Sequence, residues 1–398
     1  MTELLRGGRG ADGQGVDIRI VDDLIGELGT LTPLPGEAVV DLDGRLVLPA
    51  FAEPHVHLDK AFTAGLAANQ TGDLQGAMAS YSAVASMRQG DAIADRAMRA
   101  LRLFVAAGTT AVRCQIGAGR LSGVTAIEAL AKVREQVSAY VDLQIVAHVG
   151  VPDGGAAGHR ALLHRALDAG ADQLGGNPFS EDDPDLALES CLEVALDRGV
   201  ELDLHVDESF DSVTLDRVAA RALESGVRVV AAHCVSLGVL PDSQAKEIAA
   251  AVAAAGMSVV TLPMTNLFLQ GRDVLSAKPR GLTAIDALRA AGVQVAAGSD
   301  NVRDPFNLVG RCDPLEIASL LVTAGHQQPV HAAGMVGSEA RTVMGLPAGG
   351  LVAGAPAELV ALGADDLGDA IARAPGDRLV WHRGQLVAQT VTTTDVPF

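Results

Sequence analysis

The alternation of short apolar segments with longer helical segments is the sequence feature that most constrains this chain. From about Pro49 onward, each apolar segment is followed by an Ala- and Leu-rich stretch that carries Arg, Asp and Glu on one side. This alternation is typical of repeated βα units around a parallel sheet. Eight barrel strands are predicted on this basis: Phe51–His57, Thr110–Ile116, Leu143–Val149, Gln173–Gly176, Glu201–Val206, Val227–His233, Ser258–Pro263 and Val293–Gly298. Helices are predicted between them, including Ala94–Ala107, Gly123–Val137, Asp185–Arg198, Ala245–Ala254 and Ala284–Ala291. The count and order predict an α/β fold of the TIM (β/α)8 barrel type, and they fit a doubly wound sheet less well.

Both ends of the chain differ from this central part. Gly and Pro separate short predicted strands there: Val16–Val21, Ala38–Asp41, Leu46–Leu48, Leu351–Val352, Ala357–Leu362, Arg378–Trp381 and Gln385–Val387. We expect the two ends to pair into one small β-sandwich module, formed by residues 1–48 and 349–398. The barrel then spans residues 49–348.

The charge and the aromatic content argue against a nucleic-acid partner. The net charge is −19, with 30 Lys and Arg scattered among 49 acids, and the chain has one Trp and two Tyr. A polyanion needs a basic stripe, and single-stranded nucleic acid also needs aromatic platforms. We therefore expect a small-molecule partner and no nucleic acid.

The cysteines and the N-terminal residues predict a cytoplasmic protein. The four cysteines, Cys114, Cys191, Cys234 and Cys312, show no CxxC spacing, so neither a disulfide framework nor a thiolate zinc site is indicated. The N-terminal stretch has no apolar h-region, and no run approaches eighteen apolar residues. We expect neither export nor membrane insertion, and we expect a homo-oligomer.

Two histidines, His55 and His57, end the first predicted barrel strand. Alternation along a strand puts both on one face. If that face is the barrel interior, both imidazoles project toward the C-terminal mouth, where barrel active sites lie. Neutral imidazole is a common ligand of zinc and also suits iron. Taken alone, the pair is weak evidence, and two polar residues in a turn are the more common explanation.

Three later residues strengthen the metal hypothesis, because His205, His233 and Asp300 each fall at the end of a later predicted strand. His148, after the third strand, is a further candidate. The strands were predicted from apolar pattern alone, so chance would scatter these residues. The other histidines are interpreted as surface or packing residues: His159, His164, His326, His331 and His382.

These residue types support hydrolytic C–N cleavage. Three histidines and a carboxylate would hold one divalent ion and leave a position open for the attacking water, as in catalytic sites. Asp300 can take a proton from that water, His233 can orient the attacking oxygen, and Glu208 can carry a proton to a ring nitrogen. Because Glu208 stands three residues beyond His205, it must lie on the loop after the strand. Asp207, on the face of His205, is the alternative acid.

The order of these motifs resembles the cytosine deaminase branch of the amidohydrolase superfamily over nearly the whole chain. The order is HxH, then HxDE at His205 to Glu208, then a lone strand-end His233, then Ser299-Asp300 followed by Asp304-Pro305. The resemblance implies a single Zn or Fe ion held by His55, His57, His205 and Asp300, with Glu208 and His233 in acid–base and orienting roles. It also implies a β module assembled from both chain ends. The carbamylated lysine of two-metal relatives has no counterpart in the fourth strand, Gln173–Gly176, so one ion is expected.

Departures from that family bear on the substrate. His148 stands near where cytosine deaminases carry a glutamine that reads the pyrimidine edge, Asn301 replaces a second aspartate, and Phe306 replaces a tryptophan. Plain cytosine is therefore not expected. Lys60 and the stretch from Ser299 to Arg303 are more similar to isopropylammelide amidohydrolases, although those relatives lack the glutamate kept at Glu208. The predicted substrate contacts are Lys60, His148, Asn301, Arg303 and Phe306. Lys60 could equally form a salt bridge with Asp59 or another acid.

These observations predict a metal-dependent hydrolase that removes an amino group from a nitrogen heterocycle. One alternative is an amidohydrolase that removes an alkylamine or opens a cyclic amide. A remote alternative is a barrel that serves as a non-catalytic scaffold or binding protein. The isolated cysteines exclude a zinc deaminase of the P-C-x-x-C type, and Gly7 to Gly10 lacks the strand and the spacing of a dinucleotide-binding loop.

Overall fold

The structure, a computed structural model, describes residues 2–84, 89–119 and 123–397. Its central element is a sheet of eight parallel strands in sequence order. These strands are β6 (Phe51–Val56), β7 (Thr109–Ala118), β8 (Asp142–Val149), β9 (Gln173–Gly176), β10 (Leu202–Val206), β11 (Val229–His233), β12 (Ser258–Thr261) and β13 (Gln294–Ala297). Each strand pairs with the next one along the chain, as βα repeats require.

The barrel closes where its first and last strands meet. Val56 and Asp300 form an isolated parallel bridge. In this bridge the His57 amide donates to the carbonyl of Asp300 at 2.7 Å, and the Asp300 amide donates to the carbonyl of His55 at 2.9 Å. The closure thus joins the two motifs that the sequence singled out.

Helices cover the outside of the barrel and close one end of it. The described helices are α1 (Leu74–Ala83), α2 (Gly90–Ala106), α3 (Thr125–Val137), α4 (Gly155–Asp168), α5 (Pro184–Arg198), α6 (Leu215–Ser225), α7 (Asp242–Ala254), α8 (Pro263–Leu269), α9 (Ile285–Ala290), α10 (Pro314–Thr323), α11 (Pro329–Met335), α12 (Ser338–Val343) and α13 (Leu367–Arg373). Ala340 and Val343 of α12, with Met344, pack against Ala52 and Ala111 at the starts of β6 and β7. The amino-terminal end of the barrel is therefore closed by apolar contacts, and its carboxyl end is left for the site. None of the helices among the described residues combines the length and hydropathy that a membrane span needs.

Both chain ends build a second, mixed sheet. Its strands are β1 (Thr2–Arg9), β2 (Gly15–Val21), β3 (Leu24–Gly29), β4 (Ala38–Asp41), β5 (Leu46–Pro49), β14 (Leu359–Leu362), β15 (Arg378–His382) and β16 (Gln385–Thr390). The order is β16-β15-β14-β5-β1-β2-β3, with β4 beside β1, and β14 pairs antiparallel with β5. Ile20, Ile25 and Trp381 belong to one buried cluster, although they lie on strands from the two sides of this order. The sheet therefore folds over its own core.

The predicted fold class is confirmed, with all eight barrel strands and the module from both ends in place. One predicted strand is wrong, because Leu351–Val352 lies in a turn closed by the Ala355 amide on the carbonyl of Val352. Two strands, β1 and β3, were not predicted. The division into residues 1–48 with 349–398 and residues 49–348 stays a prediction.

We expect Trp381→Ala to destabilise the protein by about 3–5 kcal/mol, the usual cost of a large cavity. Trp381 is fully buried in the module core, and its indole nitrogen donates to the Glu3 carboxylate at 3.1 Å. Denaturant unfolding followed by circular dichroism measures this. Tryptophan fluorescence cannot be used, because the variant lacks the only Trp of the chain. Tyr140→Ala, at a side chain 53% exposed, is the aromatic control and should change stability little. Equal midpoints for the two variants would contradict this account of the module.

Candidate active site

The strand ends bring three imidazoles and one carboxylate together at the open end of the barrel. His57 Nε2 lies 3.2 Å from His205 Nε2 and 3.3 Å from Asp300 Oδ1, and His55 Nε2 lies 3.8 Å from the same oxygen. One ligand atom from each of the four residues lies within 4.8 Å of the others. All four side chains are buried. Convergence of this kind is what a divalent ion requires.

The surroundings keep the imidazoles of His57 and His205 neutral, as metal ligation demands. Burial lowers the pKa of His57 and His205 well below 6.5, and the neighbouring histidines lower it further. Among the described residues, His55 Nε2 and His205 Nδ1 have no hydrogen-bond partner. Neutral rings that face one another with an unpartnered buried nitrogen fit a metal ion better than a hydrogen-bond network. This cluster could therefore hold one.

Three residues at the strand ends have left-handed backbone conformations that are uncommon for side chains other than glycine. The φ angles are +51° at Asp207, +71° at His233 and +60° at Asp300. Such conformations persist only where surrounding structure enforces them, and they concentrate at functional sites. Asp207 directly follows β10, His233 ends β11, and Asp300 lies three residues beyond β13, so each redirects the chain after its strand.

The turn at Asp207 places the two candidate acids in different surroundings. β10 ends at Val206, and the following turn brings Glu208 Oε1 to 3.3 Å from His233 Nε2. Glu208 lines the cavity described below, and its other oxygen accepts a hydrogen bond from Asn177. Asp207 instead accepts hydrogen bonds from Ser212, Thr214 and Ser236, so its carboxylate anchors the loop.

His233 is oriented by a residue to which the sequence assigned no role. The Nδ1 atom of His233 lies 3.0 Å from Oδ1 of Asn266 on α8, and Asn266 is buried. If Nδ1 carries the proton, it donates to that oxygen, and Nε2 keeps a lone pair toward Glu208. His233 and Glu208 therefore form a pair beside His205, with which they also group as possible ligands.

A cavity of about 260 Å³ opens over this cluster. Its lining includes four predicted substrate contacts, Lys60, His148, Asn301 and Phe306. The Lys60 ammonium lies 4.2 Å from the centre of the Phe306 ring and 5.5 Å from that of Tyr81, an arrangement that favours a cation. The predicted alternative, an ion pair with Asp59, is absent from the ion pairs of the described residues.

The other two polar residues among the predicted contacts are His148 and Asn301. The ring of His148 lies 4.5 Å from that of His205, and burial, followed by the charge of Lys60, lowers its pKa to about 3. Asn301 is held in place, since its amide nitrogen donates to Asp304 and its oxygen accepts from Thr265.

Arg303 is not brought to the cavity with the other predicted contacts. Its backbone is left-handed, with φ at +51°, and its Nε donates to the carbonyl of Gly310. The guanidinium lies 5.3 Å from the centre of the Phe62 ring. Arg303 therefore stabilises the loop after β13. The spacing of residues in the sequence could not indicate its left-handed backbone.

Sequence reasoning also missed Glu53, which fixes the barrel closure. Its carboxylate accepts from the Ser299 amide, from the Ser299 hydroxyl at 2.6 Å and from the His55 amide at 3.1 Å. Burial raises the pKa of Glu53 to about 8. The available signal was a carboxylate two residues before His55 in a fully buried strand.

The chain belongs to the amidohydrolase family, whose match covers residues 65–388. It is a hydrolase that acts on C–N bonds other than peptide bonds. A pterin deaminase of Rhizobium rhizogenes is 33% identical over 388 residues, covering 94% of this chain and 88% of that protein.

Two solved structures are similar over their full length. The 5-methylcytosine deaminase of Klebsiella pneumoniae is 25% identical, with a TM-score of 0.88, covering 99% of both chains. The N-isopropylammelide isopropylaminohydrolase of Burkholderia multivorans is 31% identical, with a TM-score of 0.85, covering 98% of this chain and 99% of that one. The resemblance inferred from the motifs is thereby confirmed.

We expect Glu53→Ala to destabilise the protein by about 3 kcal/mol or more, because three buried donors would lose their acceptor. Chemical denaturation of the metal-free protein measures this. Glu135→Ala, at an exposed position of α3, is the matched control and should stay within about 0.5 kcal/mol. If the Glu53 variant were as stable as the control, the closure would not depend on this carboxylate.

Proposed function

We propose that this protein is a metal-dependent deaminase that hydrolyses an exocyclic amino group from a nitrogen heterocycle. The observation that carries the proposal is the placement of the Glu208–His233 pair, 3.3 Å apart, directly beside the four convergent side chains. A structural metal site would need the four ligands alone. An acid–base pair at the edge of a ligand-sized cavity indicates chemistry.

The proposed ligands are His55, His57, His205 and Asp300, and they would hold one divalent ion, zinc or iron. Such an ion would lower the pKa of a water molecule toward neutrality and so supply the nucleophile. A single ion is favoured by β9, where a lysine has no room: a Cβ at Gly175 would lie 2.3 Å from the carbonyl oxygen of Asp203.

Each remaining residue of the site has a proposed proton or hydrogen-bond role. Asp300 takes a proton from the attacking water, since it lines the cavity three residues beyond the end of β13. His233, oriented by Asn266, holds the attacking oxygen through Nε2. Glu208, within reach of the cavity, carries a proton to the ring nitrogen beside the attacked carbon. That transfer makes the carbon more open to attack by the water oxygen. The amino group then takes the proton that Asp300 removed from the water, and it leaves as ammonia.

The proposed substrate is a small ring that carries an amino and an oxo group, and we favour a pterin-like ring. A cavity of about 260 Å³ is smaller than pockets for drug-sized ligands, which begin at about 300 Å³. Tyr81 and Phe306 offer ring faces, and Lys60 between them is suited to a carbonyl oxygen. The pterin deaminase relative supports this choice. His148 replaces the glutamine expected for cytosine, which supports a substrate other than plain cytosine.

Removal of an alkylamine is the second candidate, and the structural likeness to the isopropylammelide enzyme favours it. Glu208 favours deamination, since the resemblance described above implies that isopropylammelide amidohydrolases lack this glutamate. The released amine distinguishes the two reactions.

We also propose that the protein is a cytoplasmic homo-oligomer that works without nucleic acid or membrane partners. All four cysteines are free and buried, which suits a reducing compartment. Three large apolar side chains on loops beyond barrel strands, Leu66, Leu275 and Val309, are more than half exposed, which suits a subunit contact.

Ammonia release by the purified, metal-analysed protein tests the function. The panel contains pterin, isoxanthopterin, cytosine, isocytosine, creatinine, aminotriazines and N-alkylated triazines. We expect ammonia from pterin-like rings and none from His55→Ala, which loses a metal ligand. Alkylamine without ammonia would favour the second candidate. Neither product, despite about one bound ion per chain, would contradict the proposal.

We expect Glu208→Gln to lower kcat by about 10²–10⁴-fold, the usual contribution of a positioned acid–base group. Bound metal should stay unchanged, because Glu208 is not a proposed ligand. Asp211→Asn, an exposed carboxylate on the same loop, is the control and should leave kcat unchanged. A Glu208 variant with unaltered kcat would reassign the proton transfer.

A further inference from the structure

The barrel interior beneath the site contains a buried arginine where branched apolar side chains usually pack. Arg113 on β7 is fully buried. It donates to the Gln144 amide oxygen at 2.9 Å, to the Asp203 carboxylate at 3.0 Å and to Glu201. Burying a guanidinium is costly unless it is paired, and these three acceptors compensate that cost. A polar group in this position suggests a role other than packing.

The two carboxylates that pair with Arg113 face different surroundings. Glu201 also pairs with Arg228, whose side chain is 58% exposed, and accepts a hydrogen bond from Gln173. Asp203 uses one oxygen for Arg113, and its other oxygen, Oδ1, has no hydrogen-bond partner among the described residues. That oxygen lies 3.7 Å from Nδ1 of His55. Asp203 is therefore the carboxylate that faces the site.

We propose that Asp203, held by Arg113, is a positioning residue that fixes the ring of His55. The Asp203 oxygen is the acceptor for the Nδ1–H of His55, so Nε2 keeps its lone pair and is directed toward Asp300, 3.8 Å away. The Gln115 amide nitrogen, 3.4 Å from the same Nδ1, can only donate through that atom, so Asp203 is the acceptor that fits this tautomer.

Arg113 has a distinct part in this arrangement. It is shared between β7 and β10, so it ties the position of Asp203 to the barrel frame. Its charge also balances that of the buried Asp203 carboxylate. Outer partners of this kind orient ligands, and their loss typically weakens metal binding by about 10–100-fold.

The inference rests on the proposed metal site, and zinc binding tests both separately. The Zn²⁺ dissociation constant is measured by competition with a chromogenic chelator for the unsubstituted protein, Asp203→Asn and Glu201→Gln. We expect about 10–100-fold weaker binding for Asp203→Asn. Glu201→Gln, which alters the other carboxylate of the same arginine, should bind zinc as the unsubstituted protein does.

A double-mutant cycle with His55→Ala separates positioning from general damage. If Asp203 acts through His55, Asp203→Asn has no further effect on zinc affinity once His55 is removed. Circular dichroism of the metal-free variants checks that each is folded. Equal zinc binding by Asp203→Asn and the unsubstituted protein, equal losses in the two carboxylate variants, or a loss that persists without His55 would overturn the inference. No zinc binding by the unsubstituted protein would overturn the proposed metal site itself.

Discussion

The closure of the barrel between its first and last strands is the constraint on which the site depends. The parallel bridge between Val56 and Asp300 places the HxH motif and the last strand-end carboxylate side by side, although they are far apart in the chain. Glu53 reinforces that junction through Ser299 and the His55 amide. An open sheet would leave Asp300 at one edge and both histidines at the other. The four side chains therefore come together only in the closed barrel.

Burial gives these side chains their chemistry. Imidazoles removed from water stay neutral, and a carboxylate among them supplies the charge that a divalent ion needs. The polar layer below, with Arg113 and Asp203, replaces apolar packing with directed hydrogen bonds. Beyond the cluster, Glu208 lines the cavity and approaches His233, because left-handed turns at Asp207 and His233 redirect the chain. The proposed metal ligands and the proposed acid–base pair are thereby two neighbouring sets of residues.

The sequence predicted the barrel and the clustered side chains because both follow from local patterns. Apolar segments set the strands, and parallel strands put their carboxyl ends at one edge, so His205 and Asp300 had to converge. Other features depend on geometry that no pattern records. Two glycines and a bulge interrupt the apolar alternation of β1, so the pattern did not indicate a strand there. A left-handed turn at Arg303 directs its side chain away from the cavity. The roles of Asn266 and Asp203 follow from contacts between strands and helices, which spacing in the sequence does not reveal.

The most direct test of the account is the position of the bound metal in crystals of the purified protein, measured by anomalous diffraction at the zinc and iron absorption edges. The account predicts one anomalous peak per chain, at one of those edges, lying among His55, His57, His205 and Asp300. A peak elsewhere, two peaks of similar height in the barrel, or none in protein that releases ammonia from its substrate would contradict it.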